Sequence, residues 1–171
     1  NLNALKNGFG SLARAFRFLN NQKDGSLLQV SQEAKRDDLL VFLALELFKQ
    51  RTAFREMPAS FQRDIKVFFG RITEARNAAH DLLCQISNDE EINKNCEQAA
   101  SEGLGYLWSK KSLQLHTSLV ERLPPLLRVY VGCATLLYGD VTSADLVKIH
   151  IKSGKFSLMR YDDFVGRAIP R

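Results

Sequence analysis

Cysteine is scarce in this chain: Cys84, Cys96 and Cys133 are the only three in 171 residues. So few, so scattered and odd in number, they exclude a disulfide framework and point to a reducing, cytoplasmic setting. Long apolar runs are also missing. The longest, Leu39 to Phe48, is interrupted by Glu46 and spans about half of the roughly 20 residues that a membrane-crossing helix needs. A signal peptide is not expected at the N-terminus, whose apolar residues are periodic and interleaved with Lys6, Arg14 and Arg17. Cofactor loops are lacking as well. Gly8-Phe9-Gly10 lies at a helix start, Gly103-Leu104-Gly105 has no third glycine, and neither belongs to a βαβ unit, which excludes a dinucleotide fingerprint. Gly154-Lys155 is followed by Phe156 rather than Ser or Thr, which excludes a phosphate-cradling loop of the P-loop type.

What is present suits one folded domain. Hydrophobic residues at 45% and charged residues at 25% supply enough apolar surface to offset the chain entropy lost on folding. Lys and Arg number 24 against 19 Asp and Glu, a formal charge of +5. That excess leaves open both an anionic partner and a plain solubility role. The first residue is Asn1 and the chain stops soon after a strand pair, so it is expected to be a piece of a longer protein.

Leu2, Leu5, Phe9, Leu12, Phe16 and Leu19 recur at steps of three and four, one face of a helix whose first turns Gly8 and Gly10 weaken, so that it begins near Ser11 or frays before it. Asn20 to Gly25 reads as a connection, after which Ser31 is expected to cap a helix running to about Arg51. Its Leu39–Phe48 centre is apolar nearly all round and should be surrounded by the other helices. Pro58 opens a helix with Phe61, Ile65, Phe68 and Phe69 as its buried stripe, ending near Gly70. A further helix covers about Arg71 to Ile86, and Ser87 or Asn88 caps another reaching about Ala100. Ser101 to Lys111 is a loop carrying a candidate short strand, Tyr106-Leu107-Trp108. Pro124 and Pro125 open the helix Leu126 to Tyr138, which Gly139 ends. Thereafter Val147, Ile149 and Ile151 alternate with Lys148, His150 and Lys152, and Ser153-Gly154 turns the chain into Phe156 to Tyr161. The expectation is a mainly α (α+β) fold, with a helical bundle over 1–140 and a β-hairpin over 141–171 packed on it.

Several constellations bear on chemistry. His80 and Cys84 share a helix face, and with Cys96 and His116 would complete a zinc set; buried hydrophobic cysteines are the competing reading. Asp162 and Asp163 suit a hard cation or simply a turn. The hairpin's polar side places Lys148, His150 and Lys152 about 7 Å apart, near the spacing of successive phosphates, with Lys155 and Arg160 adding charge from the partner strand. A solvated outer face explains the same pattern. Tyr161 or Tyr106 can stack on a base or belong to a core rim.

Two family resemblances add to this. Arg76-Asn77-Ala78-Ala79-His80 resembles the Arg–His signature of the HEPN helical ribonucleases, with one residue fewer between the pair than that family has. It implies Arg76 neutralising a phosphorane and His80 moving a proton, against a solvated Arg and a satisfied His. Four segments, 36–45, 61–70, 123–134 and 144–150, together resemble the DNA phosphorothioation-associated methyltransferase family of bacteria, in the family's order. The third, Leu123-Pro124-Pro125-Leu126-Leu127-Arg128-Val129-Tyr130-Val131-Gly132-Cys133-Ala134, is the most specific, with Val131 where the family often has Glu. The resemblance implies a region beyond an S-adenosylmethionine-binding core, working with DNA or packing on that core or a partner protein. No cofactor and no metal is expected in the chain itself. Arg63, Lys66 and Arg128 would join the hairpin cations as phosphate contacts, or Arg128 and Tyr130 would be buried anchors.

Overall fold

The computed structural model describes residues 2–21, 25–49, 56–139, 144–162 and 165–166. It is mainly helical, with one four-strand antiparallel sheet near the C-terminus. The chain divides into two compact units, Asn1–Asp37 and Asp38–Arg171.

In the first unit the single amphipathic helix expected from the sequence is two: α1 (Leu2–Phe9) and α2 (Leu12–Asn21). Gly10 takes a φ of 72° between them, which ends α1, and the Ser11 hydroxyl then accepts the Arg14 amide at 3.2 Å to start α2. The two helices fold back far enough for the Phe9 and Phe18 rings to meet at 5.3 Å. Part of the expected Asn20–Gly25 connection, 22–24, lies outside the described residues. Helix α3 (Gly25–Phe48) begins earlier than Ser31, which is an exposed mid-helix residue and caps nothing. With a helical turn already preceding it, the amides after Ser31 have carbonyl partners and need no hydroxyl.

The second unit takes over at Asp38. Every residue from Leu39 to Phe48 is buried or half-buried there, as the all-round apolar stretch requires. Three further helices follow: α4 (Ala59–Phe69) after Pro58, α5 (Ile72–Gln85) and α6 (Asp89–Ser101). Asn88 is the α6 cap, its side-chain oxygen accepting from the Glu90 and Glu91 amides. Helix α7 (Pro125–Tyr138) buries Leu126, Leu127, Val129, Val131, Cys133 and Ala134. Gly132 lets it approach α3: a methyl there would lie 2.7 Å from a Leu45 methyl.

The expected hairpin is half of a larger sheet. Strands β1 (Tyr106–Trp108), β2 (Ser112–His116), β3 (Leu146–His150) and β4 (Phe156–Met159) run in the order β1-β2-β3-β4, each antiparallel to its neighbour. Leu113 and Leu115 pair with Ile149 and Val147 and face the core, where all four are buried. The apolar face of the hairpin thus continues into β2, and α6 and α7 pack with this sheet in one core. A 3-10 helix (Thr117–Arg122) links β2 to α7; its Thr117 amide donates to the Asp145 carbonyl and its Ser118 amide to His116 Nδ1. Among the described residues, no helix is long and apolar enough to cross a membrane.

Candidate nucleic-acid interface

Strand alternation sends Val147 and Ile149 inward and Lys148 and His150 outward, as the sequence pattern requires. Strand β3 stops at His150, however, so Lys152 lies in the following turn rather than on the strand. It meets a second turn there. Ser109 and Lys110, between β1 and β2, both adopt left-handed backbone (φ 48° and 54°), and the Lys111 carbonyl accepts the Ile151 amide at 3.0 Å. The two turns enclose an open cleft of about 480 Å³ lined by Ser109, Lys110, Lys111, His150, Lys152 and Ser153. Three lysines and a histidine face this cleft, and among the described residues no carboxylate lines it. Lys110 and Lys111 went unnoticed in the sequence; the Ser112–His116 alternation behind them would have revealed a strand and hence the turn that presents them.

Like charges at this end leave a mark on His150. Partial burial, followed by the nearby Lys148 and Lys155 ammonium groups, holds its imidazole below the ordinary value of 6.5. Its Nε2 lies 3.1 Å from the Ser157 hydroxyl. The Lys155 carbonyl accepts both the His150 amide, at 3.1 Å, and the Tyr130 hydroxyl, at 3.2 Å. Tyr130 therefore ties the β3–β4 turn to α7.

The remaining expected contacts do not join the cleft. Arg63 and Lys66 are exposed on α4, a different element that packs on α5. Arg160 is exposed just beyond β4 and has a partner of its own. Arg128 is engaged elsewhere: its side chain is only 13% exposed and donates to Asp38 at 2.8 Å and Glu121 at 3.3 Å. Two carboxylates already compensate that charge and would repel a phosphate. Tyr161 is half-buried, its amide donating to Asp145 Oδ2 at 2.7 Å, while Tyr106 is exposed at 64%.

The catalytic and metal constellations gain little. Arg76 and His80 are both exposed on α5, where the Cys84 sulfur lies 3.8 Å from His80 Nδ1. Cys96, by contrast, is fully buried on α6, where desolvation and then Glu97 push its thiol up to about 12. It packs as a small hydrophobe, which separates it from the proposed zinc set. Among the described residues, no group of three or more His, Cys, Asp or Glu is placed to hold a metal. Asp162 is exposed and Asp163 lies outside the described residues. A mostly apolar groove of about 360 Å³ between α3, the 3-10 helix and α7 includes Val41, Leu45, Val120, Val131 and Gly132. Its charged walls are internally paired, Lys49 with Glu46 and Arg128 with Glu121. No family model, curated protein or solved structure matches the chain.

Proposed function

We propose that the sheet end formed by Lys110, Lys111, His150 and Lys152 binds the phosphate backbone of nucleic acid, and that the chain positions DNA for a catalytic domain elsewhere in its parent protein. The observation that carries this is the convergence of two turns, distant in sequence, on a cleft whose walls among the described residues are cationic and neutral. A solvated face gains nothing from such convergence; like charges brought together repel, and the arrangement becomes favourable when a polyanion neutralises them. The resemblance to the phosphorothioation-associated methyltransferases agrees with this role and supplies the wider setting: a target-positioning region beside an S-adenosylmethionine-dependent core.

Charge reversal tests it. Lys110→Glu and Lys152→Glu, singly and together, are expected to weaken binding of DNA of any sequence and to flatten the dependence of log affinity on log salt by about one unit per lost contact. Arg63→Glu on α4 is the control and should leave the slope near that of the parent. Unchanged affinity and slope in the Lys110/Lys152 double variant would remove the proposal.

A further inference from the structure

We infer that the nucleic acid taken by this surface is single-stranded, its bases lying on Tyr106 and Trp108; the inference rests on the phosphate-binding reading above. Paired residues of an antiparallel sheet point to the same face, so the register defines rows across it. One row runs Tyr106, Gln114, Lys148, Ser157, and the next runs Trp108, Ser112, His150. Each begins with an aromatic ring on β1 and reaches a basic side chain two strands away, about 10 Å at the usual strand spacing. Neither row holds a carboxylate.

Both rings are open to solvent, Tyr106 at 64% and Trp108 at 54%, although the opposite face of the same strands is a packed core. They contact each other edge to face, with centroids 6.0 Å apart. Successive same-face residues on a strand lie about 7 Å apart, so two neighbouring nucleotides can each place a base over β1 and a phosphate toward β3. Gln114, between ring and lysine in the first row, offers both a donor and an acceptor to a base edge. A duplex cannot use the rings in this way, because its base faces are already stacked on one another. It would engage the cations alone.

Trp108 is the only tryptophan of the chain, so its emission reports the contact directly. The test titrates the full chain with an oligothymidylate of about 15 nucleotides and with a duplex of the same length. The strand is expected to bind more tightly than the duplex and to quench Trp108. Tyr106→Ala and Trp108→Ala should each lose about 5- to 100-fold in affinity for the strand and little for the duplex, and Trp108→Phe, which keeps a ring, should retain most of it. Equal or tighter duplex binding, with unchanged Trp108 emission at saturation, overturns the single-strand inference while a loss on Lys110→Glu keeps the phosphate reading. Binding of neither probe by the folded chain overturns both.

Discussion

Replacing Arg128 by Met separates the structural role of this side chain from the nucleic-acid role its sequence context suggested. The change removes the guanidinium but keeps most of the aliphatic stem that packs at the head of α7. Its closer bond, to Asp38 at 2.8 Å, is of the charge-assisted kind that contributes about 1.5–3 kcal/mol. The lower end applies, because Asp38 is 56% exposed and regains water once left alone. Glu121, at 3.3 Å and 86% exposed, adds under about 1 kcal/mol. The expected loss is about 1.5–2.5 kcal/mol, equivalent to a fall in Tm of about 5–9 °C for a unit of this size. Calorimetry and urea titration measure it, with Glu121→Gln as a variant that should change stability by less than about 0.5 kcal/mol. Affinity for DNA and its salt slope should stay at the parental values. A variant as stable as the parent but weakened in DNA binding would refute the assignment of Arg128 to the fold.

Gly105→Ala would set a methyl 2.8 Å from the Gln114 carbonyl oxygen, backbone that cannot swing aside, and 3.1 Å from the side chains of Leu113 and Leu115. It should cost about 1–3 kcal/mol, read as a lower urea midpoint with an unchanged m-value. Ser109→Gly relieves a left-handed non-glycine residue (φ 48°) and should raise stability by up to about 1 kcal/mol; a lower Tm would argue against strain in that turn. His150 gives opposite pH trends for stability and binding. Its folded pKa lies below 6.5, so the unfolded chain binds more protons and stability falls as pH drops through the region below that value. Phosphate favours the imidazolium against Lys148 and Lys155, and against Lys110, Lys111 and Lys152 around the cleft, so DNA affinity rises over the same range. His150→Gln should flatten both profiles, and a parental affinity independent of pH between about 5 and 7.5 would contradict the contact.

Much of the helical architecture was legible because it rests on local chemistry. Pro58 and Pro124-Pro125 can only precede or open a helix, Asn88 with three acids behind it is a capping signal, and Leu39–Phe48 is too apolar for any place but the core. Gly10 signals a weak start, but that a separate helix precedes it follows from its positive φ, which no periodicity announces; Ser31 resembles a cap although the preceding turn is already helical. The sheet was half-read. Ser112-Leu113-Gln114-Leu115-His116 alternates as plainly as β3 does, yet its partner lies more than thirty residues on, in a pairing of Leu113 with Ile149 that no local pattern announces. The site depends on that pairing. Lys148 and His150 could be placed on a polar face from the sequence alone, but their company with Lys110, Lys111 and Trp108 is a product of register. The pairing of Arg128 with Asp38, ninety positions away, is likewise invisible to any spacing rule.

Amide shifts of isotopically labelled protein, followed as an oligothymidylate is added, locate the contact surface without altering a residue. The largest changes are expected on Tyr106–Ser112 and Lys148–Lys155, fading as salt is raised. Changes centred on Arg76 to Cys84 of α5, or none anywhere at saturating oligonucleotide, would contradict it.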